Sequence, residues 1–280
     1  MKQKSLAVIP AGRSDDLHHL EIADSADLVL FMAGNQFMVM DEIIGKFQHK
    51  YPDIKKIFYE TLPPGLELKQ ILSGGAVYKD QIIDVTPDIY TSVNKKGMNI
   101  LEESGFITKN DYRLYLHNRL TLMVPEGNPA KIKSVLDLGR DDVRISQPDP
   151  ENEDIAFHIM DMYRQTGGED LVHRIMEEKR AEGTTIFTIV HHRETPLRIL
   201  KQTVDVGPVW TTEIIHAGSS GLKFDVVEPG KDLDQRDQIN YYICKLANSP
   251  NPENARKFLD FITSPTAQNI YKKYGFLPEL

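Results

Sequence analysis

The feature that most constrains this chain is a run with no polar alternation, Ala26 to Met32 (ADLVLFM). Ala33-Gly34-Asn35-Gln36 breaks it, and Phe37, Met40, Ile43, Ile44 and Phe47 then follow at three-to-four spacing. A continuous apolar run of this length predicts a strand covered on both faces, and the spacing after it predicts a helix. The unit recurs. Lys55 to Tyr59 reads as a strand, Thr61-Leu62-Pro63-Pro64-Gly65 as a turn, and Leu66 to Leu72 as a short helix ended by Gly74-Gly75. Asp88 to Val93 reads as a third strand, with another helix through Met98 to Glu103. Strand and helix in alternation imply a parallel sheet with helices on its faces, an α/β fold. Residues 1–26 form a polar arm to which the pattern assigns no element.

After Ile107 the rhythm changes. Strands are expected at Arg119–Val124, Val143–Ser146, Ile186–Val190, Val204–Trp210 and Ile239–Leu246, and helices at Ile155–Gln165, Pro196–Lys201, Pro252–Thr263 and Pro265–Tyr274. No repeat, low-complexity tract or Gly/Ser linker separates the halves. For 280 residues, at roughly 100–200 per domain, two lobes are expected. The first takes 1–116 plus 245–280 and the second 117–244, joined near His117-Asn118-Arg119 and Cys244. Such a hinge suits a central ligand cleft.

Composition narrows the function. With 33 Lys and Arg against 41 Asp and Glu, the formal charge is −8, a poor match for nucleic acid. The one cysteine, Cys244, excludes an internal disulfide and a multi-cysteine metal site. No run approaches the ~18 apolar residues of a membrane span. Met1 to Asp24 lacks the apolar core of a secretion signal, so either a cytoplasmic protein or a processed one is expected. There is no Gly-x-Ser-x-Gly elbow, Walker A loop, His-Glu-x-x-His or Gly-x-Gly-x-x-Gly. No catalytic residue, cofactor or metal site is therefore assigned.

Ligands of open parallel sheets bind outside the carboxyl ends of the strands. The loops there are Ala33–Gln36, Thr61–Gly65, Gln147–Asp154 and His191–Thr195, each followed by a helix whose N-terminal N–H groups suit an anion. Candidate ligand contacts are Gly34, Asn35, Gln36, Pro64, Gly65, Gln147, Arg193 and Glu194. Arg193 is the sole Arg or Lys of the four loops, and its fork fits a carboxylate or tetrahedral oxyanion or an ion pair with Glu194. His191 and His192 point opposite ways in extended chain. One of them could join Glu194 and Asp149 or Glu151 around a metal ion.

Several stretches resemble one family. Leu68–Gly75 (LKQILSGG) is similar to a K/R-Q-I helix ending in glycine, Pro87–Ser92 (PDIYTS) to "ADVFIS", Ile100–Ile107 (ILEESGFI) to "LVEAGLI", and Asn118–Pro129 (NRLTLMVPEGNP) to "NRLVLVVPKGNP". The ending, from Asn251-Pro252 through Phe258-Leu259-Asp260-Phe261 to Tyr274-Gly275-Phe276-Leu277-Pro278, is the most specific. Together they resemble the periplasmic molybdate/tungstate-binding proteins of ABC importers, within the type II solute-binding superfamily. The resemblance implies a two-lobed periplasmic-binding-protein-like fold, no enzymatic activity, a monomer outside the cytoplasm, a small anionic ligand and an ABC permease as partner. It also implies that Asn35, with Gly34 and Gln36 beside it, replaces the family's first ligand serine. Pro64 replaces the second serine, Trp210 replaces a tyrosine, and a backbone contact falls near Glu194. Proline supplies neither hydroxyl nor N–H. With every side-chain donor changed, another anion such as a carboxylate, a metal ion, or a sensor role on the same fold stand as alternatives. Ala76–Thr86 reads as an insertion.

Overall fold

The run around Leu30 forms the strand Leu28–Phe31, and all four residues are buried. The computed structural model describes residues 5–151, 153–189 and 194–279. By their contacts they divide into two compact units, Met1–His117 with Asn240–Leu280, and Asn118–Ile239.

The first unit is built on a seven-stranded sheet. Its order is Leu277–Pro278, Tyr112–His117, Asn240–Lys245, Ile89–Ser92, Leu28–Phe31, Ile57–Glu60 and Leu17–His18. The three central strands expected from the sequence are parallel, with Leu30 opposite both Tyr59 and Ile89. The outer strands run antiparallel, so the sheet is mixed rather than purely parallel. On one face the helix Phe37–Lys50 meets the helix Pro252–Ile262 through Phe47 and Phe258, whose rings stand edge-on at 5.2 Å. Each ring of this kind stabilises the fold by roughly 1.5–3 kcal/mol through removal from water. On the other face Leu68, Ile71, Met98 and Leu101 join Val29, Phe31 and Phe58 in one core cluster.

Two helices begin earlier than the apolar pattern indicates. Asn94 caps the helix Lys95–Glu103 by accepting from the Lys96 and Gly97 N–H groups. The helix Pro64–Ser73 starts at a proline, which loses no hydrogen bond in the first turn. The turn before it is thus shorter than Thr61–Gly65.

The polar arm is structured from Ser5 onward. Ala7–Ile9 pairs in parallel with Ala76–Tyr78, which in turn pairs with Gln81–Ile83. The arm and the insertion therefore make one small sheet. Its strands have three residues each, too short for periodicity to reveal. Leu17–His18 adds to the edge of the main sheet, and Thr61 N–H donates to Asp16 O at 2.9 Å.

In the second unit, Leu120–Pro125 is flanked by Gly207–Trp210 and Phe224–Val227 in an antiparallel sheet. Ile145–Gln147 pairs in parallel with Thr185–Phe187, shorter than the expected Ile186–Val190, since Ile189 is largely exposed. The helix expected to end at Gln165 continues to His173 across a kink at Gly167-Gly168, where Gly168 has φ +69° and ψ −168°. A π turn, Arg174–Glu178, extends it. Lys179 beyond is fully buried and donates to Val143 O at 2.7 Å and to Arg140 O.

Candidate functional site

In the first unit, two expected loops lie against each other. A Cβ on Gly34 would stand 3.0 Å from Thr61 O and 3.3 Å from Leu62 O, so any larger residue would have to push the second loop away by a few tenths of an ångström. Ala33 N–H donates to Thr91 Oγ1 at 2.7 Å and fixes the exit of the strand. The helix Phe37–Lys50 begins directly behind, with no side chain capping it.

Asn35 and Gln36 are both buried, with different roles. The Gln36 amide is engaged at both ends. Its Nε2 donates to Thr91 Oγ1 at 3.2 Å, and its Oε1 accepts from the Tyr115 and Tyr271 hydroxyls at 2.8 and 2.7 Å. Burial holds both phenols well above their ordinary range. Gln36 is thus a strut that sets the loop. Asn35, 3% exposed, pairs through one end of its amide with the Tyr241 hydroxyl, and its Oδ1 has no partner.

In the second loop, Pro64 is buried and its carbonyl accepts from Tyr90 Oη at 3.0 Å. Gly65 is exposed with open space where a Cβ would point. Like the first, its helix has no side-chain cap. Beneath lies a polar cluster the sequence reading missed. Thr61 Oγ1 meets His18 Nε2 at 3.1 Å, and Leu62 N–H donates to Glu67 Oε1 at 3.3 Å. Gln70 Nε2 donates to Glu60 Oε1 at 3.1 Å. Glu60 Oε2, Glu67 Oε2 and Gln70 Oε1 are buried without partners. Desolvation pushes the Glu60 carboxyl up to about 8, and burial beside Glu60 raises Glu67 well above the carboxylate range. Glu60 therefore carries its proton at neutral pH, and the same burial favours the neutral form of Glu67. The available signal was Glu60 closing an apolar strand and Glu67 on the apolar side of its helix.

In the second unit, Gln147 is fully buried and its amide is spent within the unit. Oε1 accepts from Tyr163 Oη at 2.8 Å, and Nε2 donates to Pro148 O at 3.2 Å. Glu194 opens the helix Glu194–Leu200. Its carboxylate accepts from Ile189 N–H at 2.9 Å and pairs with Arg198 Nη2 at 2.7 Å. Arg198 also donates to Ile186 O and Phe187 O, clamping the strand end. Trp210 is buried at the start of the helix Thr211–Ser219, its ring 6.0 Å from that of His158. Burial lowers the His158 pKa. Arg193, His191 and His192 lie outside the described residues. Among the described residues, no group of three or more His, Cys, Asp or Glu could hold a metal ion. No described helix is long and apolar enough to cross a membrane.

Comparison with known proteins is consistent throughout. The family model for bacterial extracellular solute-binding proteins matches residues 28–277. The sulfate-binding protein of Synechococcus elongatus is 24% identical over 257 residues, 86% of this chain and 69% of that protein. The molybdate-binding protein ModA of Escherichia coli is 20% identical over 266 residues, 91% of this chain and 90% of its own. The solved periplasmic molybdate-binding protein of Azotobacter vinelandii superposes with a TM-score of 0.71 at 16% identity, covering 89% of this chain and 98% of that one. The fold is that of type II periplasmic binding proteins.

Proposed function

This chain belongs to the bacterial extracellular solute-binding protein family, and from that premise we propose that it captures a small anion, a molybdate- or tungstate-like oxyanion, for an ABC-type importer. It acts as a monomer on the extracytoplasmic side and delivers its ligand to a membrane permease. The relatives named for sulfate and molybdate support this class of ligand.

The observation that carries the reading is the first loop. There a 14-residue helix with no side-chain cap starts beside Asn35, whose buried amide leaves Oδ1 unpaired and, turned over, would leave its N–H₂ open to an anion. A helix N-terminus favours negative charge, and a buried unpaired polar atom costs about 1–3 kcal/mol until a ligand meets it. In this reading Gly34, Asn35 and Gly65 contribute backbone N–H groups, and Asn35 also its side chain. Gln36 and Gln147, both spent internally, hold the loops in shape. Pro64 removes a donor, so the anion sits differently from molybdate in its relatives. Arg193 contributes the full positive charge, Glu194 a backbone contact, and Trp210 a wall or its indole N–H.

Thermal shift and calorimetry against molybdate, tungstate, sulfate, phosphate, small carboxylates and divalent cations test the proposal. One or more anions should raise the melting temperature, since a ligand at about 100 times its Kd adds about 2.7 kcal/mol. Arg193→Ala should then weaken binding by about 1.5–3 kcal/mol, the range of a charge-assisted hydrogen bond. Tight binding of a divalent cation with no response to any anion would overturn it.

A further inference from the structure

The family model matches from residue 28, and the arm, residues 5–26, precedes it. Left to itself, the strand Ile57–Glu60 would end the main sheet with open backbone groups. Leu17–His18 of the arm covers that edge, with Leu17 opposite Glu60 and His18 opposite Tyr59. The contact runs one residue past the strand, where the Thr61 N–H donates to Asp16 O at 2.9 Å. The His18 ring lies flat on the Tyr59 ring, with centroids 4.1 Å and planes 5° apart, and its Nε2 meets Thr61 Oγ1 at 3.1 Å. Tyr59 Oη in turn donates to Asp41 Oδ1 at 3.2 Å, on the helix Phe37–Lys50. The backbone and the side chain of Thr61 are thus both held by the arm.

The next residue, Leu62, is held by packing. It is fully buried and joins a core cluster with Ala7 and Ile9 of the arm and Ala76, Tyr78 and Ile83 of the insertion. Tyr78 Oη donates to Ala11 O at 3.4 Å and ties arm and insertion together. A single residue, Pro63, separates Leu62 from the helix Pro64–Ser73. Thr61 and Leu62 also carry the two carbonyls that Gly34 approaches, so their placement bears on the first loop as well. We infer that the arm is a brace that presets the second loop before a ligand arrives, with His18 and Ile9 as positioning residues that act through Thr61 and Leu62. The inference rests on the anion-binding reading of these loops and deepens it. A loop that is already ordered costs a ligand less to bind, and apparent affinity falls with the fraction of molecules whose loop is in place.

Amide hydrogen exchange on the ligand-free full chain, followed by calorimetry with molybdate, tungstate, sulfate and phosphate, provides the test. Ile9→Ala empties part of the shared cluster, and the Thr61 and Leu62 amides should exchange about 30-fold faster. His18→Phe is the second variant, for the case that Ile9→Ala does not fold. It keeps a ring on Tyr59 and removes the bond to Thr61, so the same amides should exchange roughly two- to ten-fold faster. His18→Gln returns a polar group to Thr61 Oγ1 and should restore part of the protection. The amides of Leu28–Phe31 and Ile89–Ser92 should be unchanged in all three. Affinity for whichever of the four anions the wild type binds should fall in the same order, by about three-fold or more in Ile9→Ala and by no more than the exchange rises. Exchange unchanged at Thr61 and Leu62, or raised evenly over the whole sheet, overturns the inference and leaves the functional reading standing. Local loosening with anion affinity unchanged does the same. A wild type that binds none of the four removes the oxyanion reading and the inference with it.

Discussion

Glu60 makes the stability of this protein depend on pH in an unusual direction. Its carboxyl is fully buried, one oxygen accepts from Gln70 Nε2, and the other has no partner, as does Gln70 Oε1. A proton on Glu60 Oε2 offers a donor that Gln70 Oε1 can accept, closing an acid–amide ring and satisfying both atoms. This agrees with the upward shift to about 8 from an ordinary 4.5. A pKa raised on folding means that the folded state holds a proton the unfolded chain releases. The stabilisation is therefore complete below about 4.5 and is lost as pH rises to about 8. The gap corresponds to at most ~5 kcal/mol at 1.36 kcal/mol per pH unit, and entry of water on ionisation reduces the realised loss to ~2–3 kcal/mol. Glu67, raised for the same reason, adds in the same direction. Glu60→Gln puts an amide in place of the neutral acid and can pair with Gln70 through two N–H···O bonds at any pH. The variant should match the wild type at pH 5 and exceed it by ~2–3 kcal/mol at pH 8.5. Urea denaturation at both pH values and fixed ionic strength reads this out. A variant equally destabilised at the two pH values, or a wild type whose stability is flat from pH 5 to 8, would show that Glu60 is ionised in the folded protein and refute the reasoning.

Two backbone predictions do not depend on which ligand is bound. Gly34→Ala sets a methyl 3.0 Å from a backbone carbonyl that cannot rotate away. It should cost about 1–2 kcal/mol in urea denaturation and weaken whichever anion the wild type binds. Gly168→Ala places a side chain at φ +69°, ψ −168°, a region essentially confined to glycine. It should lower stability by about 1–3 kcal/mol with anion affinity unchanged, measured by the same two assays.

What the sequence disclosed follows from how each element is stabilised. The strand Leu28–Phe31 is buried on both faces, so its apolar run is diagnostic without any partner being known. The helix Phe37–Lys50 shows its three-to-four spacing because it covers that sheet. The arm strand Ala7–Ile9 has no such signature: it is three residues long and depends on Ala76–Tyr78, far along the chain. Pro64 read as a turn residue because proline punctuates turns, yet the first turn of a helix needs no N–H there. The position of the loop Ala33–Gln36 was legible, since the end of its strand locates it. The tasks of the side chains within it were not. Nothing local distinguishes Gln36, whose Oε1 accepts from two distant tyrosines, from its neighbour Asn35, whose Oδ1 has no partner.

A chain of formal charge −8 can hold an anion only where its own negative charges are cancelled. Beneath the second loop, burial favours the neutral forms of Glu60 and Glu67, and Asp16 lies 3.3 Å from the Arg13 guanidinium. In the other unit, the Glu194 carboxylate at the head of its helix is paired with Arg198 at 2.7 Å. None of these four acids leaves an uncompensated charge beside the loops assigned to the ligand. Their cancellation uses groups within each unit, before any ligand arrives. The helices after Gln36 and Pro63, neither with a side-chain cap, start in the same unit as the compensated Asp16, Glu60 and Glu67, so those three acids do not oppose the helix dipoles there.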